Sequence, residues 1–239
     1  MTADRRYALV TYGAACVIAM MLAPATRGAS IQFSGTSADG HAVAAVVDVT
    51  LNPVADAIDL TLKNTTALTL DAGELFTGID FTISGLTPSL AWAAGVQRTV
   101  NGSGAYSDTG SPQSLSWSIA SLGSGVYQLN FNPNAKDGII GPPTAGSYAA
   151  GNGSIKGNAG HNPFAAETAS VQLSVPGLPA DAEFRLLTFR FGTSLARATG
   201  TITSVPEPGG GFVAGVLGAG LYVTRRVRLR AVNPISAAI

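Results

Sequence analysis

The sequence predicts a mainly β protein: an antiparallel β-sandwich of about nine strands, with an apolar helix at each end of the chain. Apolar and polar residues alternate in run after run, and Gly, Pro, Asn and Ser separate the runs. This alternation is typical of half-buried strands, because successive side chains of a strand point to opposite faces. The 239 residues include 29 glycines and 13 prolines, which indicate many turns.

The alternation is clearest in six runs, at 58–63, 79–84, 115–119, 127–131, 171–175 and 187–191. Segments 31–34, 42–51 and 200–204 bring the total to about nine strands, enough for two packed sheets. We expect these side chains to point inward: Ile58, Leu60, Leu62, Ile79, Phe81, Ile83, Leu129, Phe131, Val171, Leu173, Phe189 and Phe191.

Two polar segments interrupt the pattern and are interpreted as loops. Residues 132–164 show little alternation and contain the distinctive stretch 151–164, rich in Gly and Asn. We expect this segment to be a long surface loop or a set of turns that offers few apolar side chains to a core. Residues 99–113, rich in Gly and Ser, form the second predicted loop.

Charged residues make up only 12% of the chain, and their placement is uneven. Positions 26–208 carry 8 basic and 13 acidic residues, which leaves this segment a net charge of −5. An acidic body repels the phosphates of nucleic acid, so we exclude nucleic acid as a partner. The remaining arginines flank two apolar runs near the ends of the chain, where membrane topology signals lie.

The N-terminal residues are typical of a secretory signal peptide. Arg5 and Arg6 precede the uncharged, mainly apolar stretch 7–22, and Ala23-Pro24-Ala25 then supplies an A-x-A cleavage site. Thr26-Arg27-Gly28 is a second candidate site. We therefore assign residues 1–29 to a signal peptide and expect export of the remainder.

Cys16 is the single cysteine, and it lies inside this predicted signal peptide. The mature protein would then have no thiol and no disulfide, which removes cysteine catalysis and thiolate metal sites. The residues before Cys16 lack the large aliphatic side chain usual in a lipoprotein signal.

The C-terminal residues have three parts in a fixed order. Pro206-Glu207-Pro208 comes first, the glycine-rich apolar run 209–224 follows, and a basic cluster ends the series. The basic residues are Arg225, Arg226, Arg228 and Arg230. This arrangement closely resembles the PEP-CTERM sorting signal of Gram-negative bacteria. The resemblance implies that an exosortase, a membrane protease or transpeptidase, recognises Pro206, Glu207 and Pro208 and removes the tail.

The tail also has the physical properties of a transient membrane anchor. Its apolar run spans roughly 24 Å as a helix, which is marginal for a hydrocarbon core of about 30 Å. The arginines would keep the C-terminal end in the cytoplasm by the positive-inside rule. We assign 30–204 to the sandwich ectodomain, 205–230 to the sorting signal and 231–239 to a short cytoplasmic tail.

The body offers little for catalysis, and we predict neither an enzyme nor a cofactor. His41 and His161 are its two histidines, and neither lies in a nucleophile-elbow motif. Asp59 and Asp80 alternate with apolar residues, so both are expected to be solubilising residues on outward strand faces. A glycosidase would need two carboxylates facing each other across a cleft.

Two binding functions remain open. Asp39, Asp108 and Asp137 lie in predicted loops and have the oxygen ligands that calcium prefers, although no EF-hand pattern is present. Trp92 follows a predicted turn and is expected to be more exposed than Trp117, which we place in the core. An exposed tryptophan could stack on a sugar ring.

We therefore expect an exported protein that is anchored in the cytoplasmic membrane and then carried to the cell surface or extracellular matrix. By the family resemblance, such proteins accompany exopolysaccharide production and biofilm formation, so the leading role is structural or adhesive. A carbohydrate-binding module is the runner-up, and a secreted hydrolase is the third alternative.

Overall fold

The computed structural model describes residues 27–83, 85–131, 136–194 and 196–206. In these residues fourteen strands form one large, mostly antiparallel sheet, with one turn of 3₁₀ helix at Ala72–Glu74. The strands are β1 (Arg27–Thr36), β2 (Ala42–Asn52), β3 (Ala57–Asn64), β4 (Phe76–Ile83), β5 (Ser89–Val100), β6 (Tyr106–Ser114), β7 (Trp117–Gly123), β8 (Val126–Phe131), β9 (Ile139–Ile140), β10 (Phe164–Ala166), β11 (Thr168–Ser174), β12 (Phe184–Phe191), β13 (Ala196–Arg197) and β14 (Thr199–Pro206). The prediction of a mainly β body is confirmed.

The predicted helices at the two ends of the chain lie outside the described residues. Within those residues, no helix has the length and hydropathy needed to cross a bilayer. Strand β1 begins at Arg27, inside the segment assigned to the signal peptide, and β14 ends at Pro206, inside the segment assigned to the sorting signal.

The sheet has two halves that are joined through β9. The large half contains β14, β1, β2, β3, β11, β10, β5 and β6, and the small half contains β13, β12, β4, β8 and β7. Strand β9 pairs in parallel with β10 and meets β4 through the single pair Phe76 and Ile139.

The inner faces of the two halves contact each other through aromatic side chains. Phe33 of β1 stacks on Phe189 of β12 at 4.8 Å between ring centroids, although these strands belong to different halves. Phe33 also stacks on Phe191 of β12, at 6.0 Å between ring centroids. The sheet therefore folds over itself and encloses its core between its halves.

The predicted inward residues are confirmed wherever the side chain is described. Each of these side chains is at most 2% exposed: Ile58, Leu60, Leu62, Ile79, Phe81, Ile83, Leu129, Val171, Leu173, Phe189 and Phe191. The side chain of Phe131 is not among those that the structure describes.

The estimate of about nine strands was too low, and the predicted loop at 99–113 was wrong. This segment contains the end of β5 and all of β6 except its last residue, and the nine residues of β6 are all exposed. A strand that buries neither face has no reason to alternate, so the periodicity did not reveal it. Strands β9, β10 and β13 have only two or three residues and were missed for lack of length.

The expectation that 132–164 offers few apolar side chains to a core was also wrong, although its described residues do form a set of turns. Ile140, Tyr148, Ile155 and Phe164 of this segment are each at most 3% exposed. They form a second apolar cluster together with Ala72, Leu75 and Val100. The segment therefore closes one end of the sheet with its own small core, apart from residues 132–135, which are not described.

Candidate functional site

The predicted sorting motif begins at a corner of the sheet where both ends of the described chain meet. Strand β14 runs antiparallel to β1, and its last residue, Pro206, pairs with Ala29. Arg27 and Gly28 extend β1 further, where they pair with Leu51 and Thr50 of β2. The first proline of the motif thus lies beside the point where the predicted signal peptide would end.

The rest of the predicted sorting signal cannot be placed relative to this corner. Glu207, Pro208 and the basic cluster of Arg225, Arg226, Arg228 and Arg230 lie outside the described residues. Pro206 itself is described by its backbone pairing.

A second candidate site lies on the outer face of the large half. Trp92 of β5 is 45% exposed, and its indole N–H donates to Gln172 Oε1 of β11 at 3.1 Å. The Gln172 amide donates in turn to Asp59 Oδ1 of β3 at 2.8 Å. These contacts fix the indole beside an amide and a carboxylate, and we call the three residues the Trp92 row.

The two tryptophans differ as predicted. Trp117 of β7 is 6% exposed, and its indole N–H donates to the backbone carbonyl of Asp137 at 3.0 Å. Trp117 is therefore a core residue, whereas Trp92 keeps nearly half of its surface exposed.

Two of the three aspartates considered for calcium, Asp108 and Asp137, are held by separate partners. Asp108 of β6 accepts two hydrogen bonds from Arg98, both at 2.8 Å. Asp137 is 5% exposed and accepts from Ser116 and Gln97. Among the described residues, no three His, Cys, Asp or Glu side chains come together as a metal site would require.

Both histidines lie near the 3₁₀ turn. His41 Nδ1 is 3.5 Å from Glu74 Oε1, and His41 Nε2 is 3.8 Å from Asp71 Oδ1. His161 Nδ1 lies 2.6 Å from the backbone carbonyl of Ser154, not from its hydroxyl. The Ser154 hydroxyl accepts from the Ala72 N–H at 2.8 Å, so its contacts are those of a turn rather than of a nucleophile.

The acidic residues of this turn form a capping box. The Asp71 side chain accepts from the Gly73 N–H at 2.7 Å, and the Glu74 side chain accepts from the Asp71 N–H at 3.0 Å. The Gly73 N–H lowers the pKa of Asp71 against the effect of burial, and the Asn152 amide and the two histidines lower it further. The sequence signal for this box was an acidic residue at each end of Asp71-Ala72-Gly73-Glu74.

Sequence reasoning missed a buried cation at Arg98, whose side chain is 6% exposed. Besides Asp108, Arg98 donates to the Tyr148 hydroxyl at 2.9 Å and to Glu167 at 3.1 Å, and it lies 4.2 Å from the Tyr106 ring centroid. Burial opposes the charge, but the hydrogen bonds that Arg98 donates to Asp108 and Tyr148 prevail and raise the pKa of Arg98. Arg98 thus connects β5, β6 and residues 136–164, which we call the packed segment.

A cavity of about 210 Å³ lies beside this segment. Its lining includes Leu68, Thr69 and Tyr148. Tyr148 is the ionisable side chain of the lining, and its hydroxyl already donates to the Gly141 carbonyl at 2.7 Å and accepts from Arg98. Tyr148 is thus already engaged in hydrogen bonds, and the other polar side chains of the lining are the hydroxyls of Thr69, Thr144 and Ser147.

No protein-family model matches this chain, and no curated protein or solved structure is significantly similar to it.

Proposed function

We propose that this chain is an exported protein that an exosortase-like enzyme sorts to the cell surface or extracellular matrix. The observation that carries the proposal is the ordered tail, in which the motif Pro206-Glu207-Pro208 begins at the last residue of β14 and an apolar run and an arginine cluster come after it. A proline fixes φ and disfavours helix for the residue before it, so the motif can leave β14 as an extended strip.

The pairing of Ala29 with Pro206 supports this proposal on geometric grounds. A precursor with an N-terminal signal peptide and a C-terminal anchor is attached to the membrane at both ends. Its body can fold in that state only if both attachment points face the same side. The β1–β14 ladder meets this requirement because it places the two ends next to each other.

The proposal also includes a two-layer architecture for the exported body. We interpret the two facing halves as the two layers of a sandwich-like ectodomain, with its ends at one corner. A rigid, charge-poor β body of this kind suits a structural or adhesive role in a polysaccharide matrix, which does not require catalysis.

Membrane fractionation tests the sorting proposal. Replacing Pro206, Glu207 and Pro208 by alanines should retain the chain in the inner membrane, while the parent reaches the surface. Replacing Asn233 and Pro234 by alanines is the matched control, since it also removes a proline of the tail but leaves the motif intact. Equal surface release of the motif variant and the parent would contradict the proposal.

A carbohydrate-binding function is the second candidate, and the Trp92 row favours it. Sugar recognition combines an aromatic face with planar polar side chains, and Trp92, Gln172 and Asp59 supply these groups on adjacent strands. The test is a fluorescence titration of the full chain in detergent with soluble glucan, mannan and galactan oligosaccharides. Trp92→Ala should abolish a response that Leu122→Ala, at an equally exposed residue of β7, preserves. A response that is absent from the parent, or unchanged in Trp92→Ala, would exclude this function for the row.

A further inference from the structure

The edge strands of the sheet are not equally protected against pairing with another chain. Strand β13 has two residues, and β6 carries Asp108, Pro112 and a bulge opposite Val96 to Arg98. Strand β7 lies beside β5 and ends in a bulge. Natural β proteins use such features, namely shortness, charge, proline and bulges, to blunt their edges.

Strand β14 has none of these features along Thr199–Ser204. These six residues are uncharged and exposed, and the ladder to β1 runs without a bulge from Thr36 and Thr199 to Ala29 and Pro206. Among the described residues, β1 is the only strand that pairs with β14. The opposite edge of β14 is therefore a straight row of backbone groups.

The position of Pro206 determines which backbone groups face this open edge. Proline has no N–H, so the pair of Ala29 and Pro206 cannot exchange hydrogen bonds. Hydrogen-bonded and non-hydrogen-bonded pairs alternate along an antiparallel ladder. Ser204, Ile202 and Gly200 lie two, four and six residues before Pro206, so they too form non-hydrogen-bonded pairs with β1. Their N–H and C=O groups therefore point away from β1.

We propose that β14 pairs with β14 of a second copy of this chain, antiparallel and about a two-fold axis at Ile202. In this register Ile202 faces Ile202 of the second copy, and Gly200 faces Ser204. The outward N–H and C=O groups of these residues then bond reciprocally, as an isologous interface requires. The assembly extends the large half of the sheet across two molecules.

The side chains of β14 are complementary to themselves in this register. Ile202 pairs with the buried Phe33 and lies on the same face of the sheet, but it remains 39% exposed. The second copy would cover it with another Ile202. Thr201 of one copy lies opposite Thr203 of the other, and Thr–Thr pairs are favourable across strands. No charged side chain of Thr199–Ser204 opposes the contact. The proposal does not depend on sorting by an exosortase.

Cysteine cross-linking of the full chain in isolated membranes tests the contact and its register. In a Cys16→Ser background, Ile202→Cys should form a disulfide-linked dimer under mild oxidation. Co-expressed Thr201→Cys and Thr203→Cys chains should cross-link to each other, at a non-hydrogen-bonded pair where the β carbons are closest. Thr50→Cys, on the outer face of β2, is the control. If Ile202→Cys forms no more dimer than Thr50→Cys, or cross-links only to other proteins, the proposal is wrong.

Two further variants separate loss of association from loss of the fold. Ser204→Pro removes an N–H that faces the open edge and spares the ladder to β1, whereas Thr203→Pro breaks that ladder. Ile202→Lys places like charges across the two-fold axis. Ser204→Pro and Ile202→Lys should each lower the dimer fraction of the detergent-solubilised chain, with an association constant about tenfold weaker, while the melting temperature stays near that of the parent. Unchanged association in both variants, with the fold intact, would overturn the proposal.

Discussion

Asp59 and Asp80 occupy equivalent places in the alternating pattern, yet their environments are opposite. Asp59 is partly exposed on the outer face, as predicted. Asp80 is 1% exposed, which makes its assignment as an outward solubilising residue wrong. It pairs with Arg190 through two contacts of 2.7 Å and with Arg197 at 3.2 Å. Strand β4 lies between β12 and β8 and is buried on both faces, so alternation there no longer distinguishes core from solvent.

This difference gives the first prediction. Asp80→Asn should lower the free energy of unfolding by about 3–5 kcal/mol, because it removes the carboxylate that compensates the buried Arg190 guanidinium. Asp59→Asn is the matched control and should cost about 0.5 kcal/mol or less, as is usual for surface substitutions. Chemical denaturation of the full chain in detergent measures both. Equal effects would mean that the Asp80 pair contributes no more than a surface contact.

Tyr148 gives a prediction about pH. Burial raises the pKa of Tyr148 to about 12, although the hydrogen bond from Arg98 partly offsets the rise. An unfolded tyrosine titrates near pH 10. The folded state therefore holds this proton more tightly, and the associated stability is complete below pH 10 and is lost as the pH rises toward 12.

The experiment compares the parent with Tyr148→Phe across this pH range. The stability difference between them should narrow between pH 10 and pH 12, because only the parent loses the proton-linked part. The absorbance of the ionised phenol should show one tyrosine titrating later than the others. If the stability difference stays constant over this range, the pKa of Tyr148 is not raised in the folded state.

At the scale of elements, the sequence predicted strands well where one face is buried and poorly elsewhere. The runs around Ile58 and Leu173 alternate because one face of each contacts the core. Strand β6 has no buried face, and its existence depends on pairing with β5, which local sequence does not encode. The sequence does not reveal bulges either, because a bulge depends on how a strand pairs with its neighbour. The run 187–191 predicts Leu187 on the face of Phe189, but a register shift against β4 leaves Leu187 47% exposed and turns Leu186 to the core.

The packed segment gives the element-scale prediction. Ile155 is fully buried although it lies in a stretch dominated by Gly and Asn, so Ile155→Ala should cost about 2–5 kcal/mol. Phe189→Ala in the main core should cost about 3–5 kcal/mol. Leu122→Ala, at an exposed residue of β7, is the control with little effect. Thermal melts of the three variants measure these effects. If Ile155→Ala melts at the same temperature as Leu122→Ala, the segment is the unpacked loop that composition suggested.

At the scale of the whole molecule, the sequence predicted the class of fold and the candidate sorting motif but not which strands pair. β1 and β14 lie at opposite ends of the described chain, and no periodicity identifies them as partners. The Trp92 row likewise depends on three strands that are distant in sequence. The position of Trp92 after a predicted turn suggested its exposure, but only the sheet order shows that Gln172 and Asp59 lie beside it.

The last prediction concerns the ladder that holds the two ends together. Gly35 of β1 pairs with Gly200 of β14, and a β carbon on Gly200 would overlap Ser34, Gly35 and the Phe33 ring. Gly200→Ala should therefore push β14 from β1 and cost about 1–3 kcal/mol, as overpacking usually does. Gly102→Ala, in a turn with open space around the added carbon, is the matched control.

Both variants are compared as full chains in detergent, by thermal melting and limited trypsin digestion. Gly200→Ala should melt about 2–10 °C lower, and trypsin should cleave it faster after the exposed Arg197, which precedes β14. This cleavage would separate β14 from the body and undo the corner at which the predicted processing sites meet. If Gly200→Ala melts and is digested like Gly102→Ala, the close pair of glycines does not hold the ends together, and the geometric support for a precursor attached at both ends is lost.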